Sequence, residues 1–296
     1  MPAPRILCPA LEHATQHALA CGALRPIDTV QQTIEDGGIE FVVRSVSSLA
    51  RRAREQPGDT TGAAAGVDPF LPFDPNLFVA DISPTHVALL NKFNVVANHL
   101  IIATRRFVPQ DVMLDGEDFA ALCACLAQLD GLGFYNAGAA AGASQAHKHL
   151  QMIPLPLGTA GAPTPIDEAL MAVRDRRGIL ATPRLPFRHA FVWFDEAVLR
   201  DPIMAAARMA AMYADLLTHV GVSHVVREGL HYTSAPWNLL VTRRWMLVVP
   251  RLRERFEGIS INALGFAGSL FVRDGVQLET IKRAGPLTAL RAVSGS

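Results

Sequence analysis

The sequence predicts an α+β fold with antiparallel sheets, and three observations carry the prediction. Strand-like and helix-like segments are mixed at short, hairpin-like spacings, which favours antiparallel pairing over a doubly wound parallel sheet. Neither Gly-x-Gly-x-x-Gly nor Gly-x4-Gly-Lys-Ser/Thr follows a strand, so the usual phosphate loops of parallel nucleotide-binding folds are missing. Half of the 296 residues are hydrophobic, enough to bury at least one substantial core.

The elements follow in order. Residues 4–33, rich in Ala and Leu, predict a helix broken near Gly22 and Pro26. Residues 39–46 carry β-branched side chains on both faces and predict a strand. Residues 56–75 hold most of the Gly and Pro of the first half, hence a loop whose length suggests function. Strands are expected at 85–90 and 95–104, joined through 91–94. A helix is expected over 115–129, with Asp115 as N-cap, Asp118 three residues on, and Phe119, Leu122, Cys123 and Leu126 on one face. A Gly-rich run then leads into an apolar strand at 148–155, and 158–165 is the best linker. The second half predicts a helix over 201–220 and strands at 238–242 and 245–249.

Composition excludes several function classes. Lys+Arg and Asp+Glu tie at 27 each, so the chain lacks the basic surplus of a protein that coats nucleic acid or an anionic membrane. No apolar run approaches the about 18 residues of a membrane span. His13, Gln16 and His17 interrupt any signal-peptide pattern at the N-terminus. Four cysteines are too few for a disulfide scaffold, and Cys123-Ala-Cys125 is too tight for a zinc ligand pair. The expectation is a cytoplasmic, soluble protein with no nucleic-acid or membrane partner, taken as a monomer.

Residues 134–153 are the informative segment. Side chains alternate faces along a strand, so His147, His149 and Gln151 share one face and Lys148, Leu150 and Met152 the other. Two imidazoles and an amide thus line up roughly 7 Å apart. Just before them a Gly/Ala stretch lets the backbone approach a ligand closely, and Ser144 and Gln145 add polar groups. The arrangement suits a phosphate ester, with N–H groups cradling oxygens and an imidazole attacking phosphorus. The bland reading is a metal half-site or two polar residues facing water. A metal reading needs further ligands; His99, His189, His219, His224 and His231 are present, but none has a partner at diagnostic spacing. His99, in an apolar strand, reads as a satisfied core or edge histidine. Of Arg243 and Arg244, on opposite faces of a strand pair, at most one points into a pocket. Trp193 and Trp245 read as core or pocket-edge residues.

This segment resembles the histidine-triad superfamily in its His-x-His-x-Gln branch, and most closely the diadenosine tetraphosphate phosphorylases (ATP adenylyltransferases). Supporting blocks are 90–100 (Leu-Asn-Lys-Phe-Asn-Val-Val-Ala-Asn-His-Leu), 142–145 with the His/Gln strand, 237–251 and 260–268, in the family's order. The resemblance implies two histidine-triad-like halves around one nucleotide cleft. These are a domain at 1–160 carrying the nucleophile strand, a linker at 161–184, and an ATP-adenylyltransferase domain at 185–296. It implies that His149 attacks an α-phosphate of diadenosine tetraphosphate, releasing ATP, and that phosphate then releases ADP from the AMP–histidine intermediate. His147 would hold the phosphate and orient that ring, and Gln151 would donate to a non-bridging oxygen. Gly142, Ala143, Ser144 and Gln145 would bind polyphosphate, Asn136, Asn91 and Lys92 the nucleotide. Asn238, Thr242, Met246 and Arg251 would form the distal wall. The expected cation is Mg²⁺ carried by the substrate polyphosphate, with no protein metal site.

Three positions depart from the family pattern: Ala146 stands where Pro is usual, Trp237 where Tyr is, and Arg51 or Arg52 where a phosphate-binding Lys is expected. The competing readings are a histidine-triad hydrolase, a hexose-1-phosphate uridylyltransferase-like enzyme, and a non-catalytic dinucleotide sensor. Gln151 argues against hydrolysis. Water must lose a proton as it attacks, which an amide cannot accept, whereas phosphate arrives already anionic.

Overall fold

The computed structural model describes residues 7–47, 68–158, 161–194, 199 and 201–295. A helix spans Leu7–Ala20, and the chain then enters β1 (Thr29–Asp36), where the Ala/Leu-rich reading expected more helix. β1 forms a hairpin with β2 (Ile39–Val46) through Gly37 and Gly38, both at positive φ (61° and 74°). A two-residue hairpin turn that needs left-handed backbone at both positions is the reason for the glycine pair.

The remaining strands run β3 (Phe78–Asp81), β4 (His86–Leu90), β5 (Leu100–Thr104), β6 (Gly131–Asn136), β7 (His149–Pro154) and β8 (Ala190–Trp193). After them come β9 (His224–Arg227), β10 (Leu230–Thr233), β11 (Trp237–Val241), β12 (Trp245–Pro250), β13 (Arg255–Phe256), β14 (Ile259–Ser260) and β15 (Ser269–Val272). Eight of them make one antiparallel sheet in the order β3-β4-β5-β7-β6-β11-β12-β8, while β15 adds in parallel to β2. The α+β class with antiparallel sheet is the observed one.

Local chemistry explains where the expected elements shift. Within 95–104 the strand is confined to β5, because Asn98 turns the chain at φ 57° just before it. The Gly-rich run holds β6, a strand whose glycines are dictated by packing. A Cβ on Gly133 would come within 2.6 Å of Leu122, and one on Gly131 within 2.7 Å of the Ile153 carbonyl. Glycine normally weakens a strand, and here it admits close neighbours. The helix Gly116–Gln128 has the expected cap, with the Asp115 and Asp118 side chains exchanging hydrogen bonds with each other's backbone.

Face parity places the core. On one side of the sheet, Leu150, Met152, Tyr135, Leu239, Val241 and Met246 pack under the helices Gly116–Gln128 and Pro202–His219. On the other, Phe134, Ile153, Leu240 and Val249 pack under β2, β15 and the C-terminal helices Gly275–Ala284 and Pro286–Ser294. Toward β4 and β5, Val87, Leu89, Ile101 and Ala103 instead meet Phe70 and Phe73 of the preceding loop. The histidine strand lies where one cover gives way to the other.

β6 pairs with β11, so strands from both halves form one continuous sheet. Within the expected linker at 161–184, Ile166, Ala169, Leu170 and Leu180 are buried in the core, and Asp167 accepts from the Trp245 indole (2.9 Å) and Arg244 (3.0 Å).

Candidate active site

β7 carries the site. His149 pairs opposite Ala103 and Gln151 opposite Ile101, so both project on the face that Phe70 covers. His147 lies just before the strand, bridged to Pro109. The His149 ring is buried, and its Nδ1 sits 2.8 Å from the His147 carbonyl. A carbonyl only accepts, so Nδ1 carries the proton and Nε2 keeps its lone pair. Burial lowers the His149 pKa to about 4, so the ring is neutral near pH 7.

His147 is differently used. Its Nε2 lies 2.9 Å from both the Thr104 carbonyl and hydroxyl oxygens, and its Nδ1 meets the Asp68 carboxylate at 2.7 Å. Both nitrogens are engaged, which leaves His149 as the imidazole able to attack. Phe70 packs on both rings, at 5.6 Å from His147 and 5.0 Å from His149, and Phe107 stands 5.5 Å from His147.

The loop before the strand is held by groups that sequence reasoning missed. Buried Gln110 donates to the Asn136 (2.9 Å) and His149 (3.2 Å) carbonyls and accepts from the His149 N–H (2.8 Å). It thereby completes the hydrogen bonding where β6 and β7 separate. Its own N–H takes the Ala146 carbonyl at 2.8 Å. These contacts span tens of residues, and no local spacing announces them. At the loop's inner turn Gly142 has φ 93°, and a Cβ there would lie 2.8 Å from Asn262 Cα and 2.9 Å from the Ile261 carbonyl. The backbone at Gly142 is therefore drawn tightly onto Ile261 and Asn262. Ser144 is exposed and Gln145 half-buried, and neither side chain has a partner among the described residues.

Several residues expected to touch nucleotide are placed elsewhere. Asn136, Asn238 and Arg251 lie on the histidine face but are buried beneath this loop. Asn238 donates to Asn136 Oδ1 (2.8 Å) and to the Ala141 carbonyl (2.9 Å), and Asn136 Oδ1 also takes the Ala263 N–H (2.9 Å). Arg251 spends its guanidinium on Asn238 Oδ1 (2.6 Å) and the carbonyls of Ala141 (3.1 Å), Arg253 (2.8 Å) and Ile261 (2.8 Å). Burial lowers its pKa to about 10, so it remains a cation. The trio pins the loop's backbone in place of forming a wall. Met246 is on the opposite face of the sheet, in the helix-side core. Thr242 caps the β11–β12 turn, its Oγ1 accepting from Arg244 and Trp245 N–H. Arg243 donates to the Leu126 carbonyl and Arg244 to Asp167, so neither points at the histidines. Arg51 and Arg52 lie outside the described residues.

Asn91 and Lys92 differ from each other. The Lys92 ammonium lies 5.7 Å over the Phe93 ring. Asn91 connects to the site through His99: its Nδ2 is 3.2 Å from His99 Nδ1, and His99 Nε2 is 2.9 Å from Gln151 Oε1. His99 is buried and satisfied, as its apolar strand suggested, yet its partners are site residues. Among the described residues, no group of three or more His, Cys, Asp or Glu is placed to hold a metal ion. A separate cavity of about 620 Å³ includes none of the histidine strand among its described lining, to which Glu35, Glu40 and Glu168 contribute.

Residues 1–172 match the family described as Ap4A phosphorylase N-terminal domain, and residues 183–296 the ATP adenylyltransferase C-terminal domain. The chain belongs to this family. It is 26% identical over 239 residues to diadenosine 5',5'''-P1,P4-tetraphosphate phosphorylase 2 of Saccharomyces cerevisiae, covering 72% of this chain and 71% of that protein. It is 27% identical to protein APA1 of the same yeast over 63% of this chain and 61% of that one. The fold matches the crystal structure of yeast Ap4A phosphorylase Apa2 with a TM-score of 0.76, at 23% identity and over 98% and 97% of the two chains. The complex of that yeast protein with AMP matches at 0.77, over 100% and 98%.

Two departures from the family pattern now have a structural account. Trp237 stacks on Tyr135 at 5.3 Å in the helix-side core, remote from the histidine face. Ala146 contributes a carbonyl to Gln110, which a proline would supply equally.

Proposed function

We propose that this chain catalyses the reversible phosphorolysis of diadenosine tetraphosphate to ADP and ATP, with His149 as the adenylyl acceptor. The supporting observation is the His149 ring, held neutral by burial with Nδ1–H on the His147 carbonyl and Nε2 unpartnered among the described residues. Nε2 forms a bond to the α-phosphorus while the α–β anhydride bond breaks and ATP leaves with the bridging oxygen. The AMP-bearing ring becomes cationic, its Nδ1–H still on the carbonyl. A phosphate oxygen then bonds to phosphorus, the P–N bond breaks, and ADP leaves with the ring neutral again. Neither step needs a proton moved by the protein, since phosphate is already an anion at neutral pH and attacks without first losing a proton. The backbone of 142–145, Ser144, Gln145 and Lys92 would hold the polyphosphate and nucleotide, and Gln151 would donate to a non-bridging oxygen.

The site's inward groups are imidazoles and N–H donors, and its carboxylate, Asp68, is taken by His147. A hard cation prefers oxygen ligands, so Mg²⁺ would be carried by the polyphosphate and would offset its charge.

Incubation of diadenosine tetraphosphate with Mg²⁺, with and without inorganic phosphate, tests the reading by chromatography of the products. ADP plus ATP is expected only with phosphate; AMP plus ATP regardless of phosphate would make it a hydrolase. Gln151→His introduces a proton acceptor and should raise the fraction of AMP per turnover. An unchanged product ratio would remove the argument that the amide disfavours water.

A further inference from the structure

Gln151 can meet a phosphoryl group through either end of its carboxamide, with opposite consequences. The NH2 end stabilises a non-bridging oxygen; the carbonyl end repels it. The geometry decides between them. Gln151 Oε1 lies 2.9 Å from His99 Nε2, and an amide oxygen only accepts, so Nε2 carries the His99 proton. Burial lowers the His99 pKa to about 4, which keeps the ring neutral and leaves Nδ1 with a lone pair. That lone pair faces Asn91 Nδ2 at 3.2 Å, and Asn91 Oδ1 in turn takes the Phe93 N–H at 3.3 Å. Every donor and acceptor from Phe93 to Gln151 thus points the same way. The far end of the chain is Gln151 Nε2, which has no partner among the described residues.

We propose that His99, held by Asn91, is a positioning residue that fixes the polarity of Gln151, so that its N–H donates to a non-bridging α-phosphoryl oxygen during adenylyl transfer. The proposal rests on the phosphorolysis reading above. His99 itself touches no substrate. It acts by denying the amide its flipped orientation, and it ties that orientation to the loop carrying Asn91 and Lys92.

Kinetics of single and double variants supply one test. Removing a donor to a developing oxyanion costs on the order of 10²–10³-fold in kcat, and Gln151→Ala should show a loss of that order. His99→Phe should lower kcat about 10- to 100-fold with KM little changed, and His99→Gln, which can accept from Asn91 and donate to Gln151, should recover most of it. Adding His99→Phe to Gln151→Ala should cost nothing further, because the relay has lost its target. Equal losses in both backgrounds, or a His99→Phe kcat like the parent's, would overturn the relay. Histidine-labelled protein, followed by long-range ¹H–¹⁵N correlation, reads the His99 tautomer without catalysis. Protonation at Nε2 is expected, and protonation at Nδ1 overturns the proposal even if the phosphorolysis assay succeeds. An inactive parent with Nε2–H intact would instead point to failure of the activity reading.

Discussion

His149→Ala is expected to bind diadenosine tetraphosphate and to lose phosphorolysis by at least about 10⁴-fold, the scale on which covalent catalysis fails without its nucleophile. His147 offers no substitute. Its two nitrogens are held by Asp68 and Thr104, and swinging either toward phosphorus would break a buried hydrogen bond. Residual turnover near a tenth of the parent's, or loss of binding along with turnover, would defeat the assignment. Protonation offers a second reading of the same residue. The nucleophile is lost when Nε2 gains a proton, and burial sets that event near pH 4 instead of the usual 6.5. The acid limb of kcat/KM should therefore fall close to pH 4. Stability changes over the same window and must be measured with it. His99 and His149 both titrate near 4 when folded and near 6.5 when unfolded. Between those values the unfolded chain binds more protons, so each ring withdraws stability as pH falls, on the order of 2 kcal/mol at pH 5. Denaturant melts at pH 7 and pH 5 separate the two effects.

Much of this site is legible in the chain because it is local. Alternation along one strand is enough to set His149 and Gln151 on a common face and Lys148 behind them, and a cap signature is enough to start the helix at Gly116. What escaped depends on contacts across the sheet. The 237–251 block places Met246 in the wall, but face parity on β12 is inherited through β11 and β6 from β7, and it puts Met246 among the helices. Asn136, Asn238 and Arg251 are polar residues near a phosphate motif, which suggests ligand contact; burial turns them into supports for the Ala141 carbonyl. His99 and Gln110 show no diagnostic spacing in the sequence, and their contacts with Gln151 and His149 emerge only when residues 52 and 39 positions away are brought alongside. β6 was hidden by its own glycines.

The residue between the two histidines carries the remaining large effect. Lys148 points to the helix side of the sheet, where its buried ammonium meets Asp118 Oδ2 at 2.5 Å and the Met113 carbonyl at 2.8 Å. Asp118 also takes His86 Nε2 at 3.1 Å and the Asp115 N–H at 2.8 Å. Burial alone would raise the Asp118 carboxyl, but the His86 hydrogen bond and the Lys148 charge outweigh it and hold it below the usual carboxylate range. Lys148→Met leaves that carboxylate buried without its cation and should destabilise the fold by about 3–5 kcal/mol; Asp118→Leu strands the ammonium at similar cost. The double variant should recover part of the loss, because two apolar side chains can replace a buried pair, while the hydrogen bonds Asp118 accepts from His86 and the Asp115 N–H stay lost. Additive losses in the double-variant cycle would show that the ion pair is not the unit of stability here. The same cycle carries a functional consequence. Lys148 anchors the backbone of the segment 147–149 from behind, and the His147 carbonyl on that segment orients the His149 ring in front. The single variants should therefore lower kcat more than their folded fraction accounts for, and the double variant should recover part of both together.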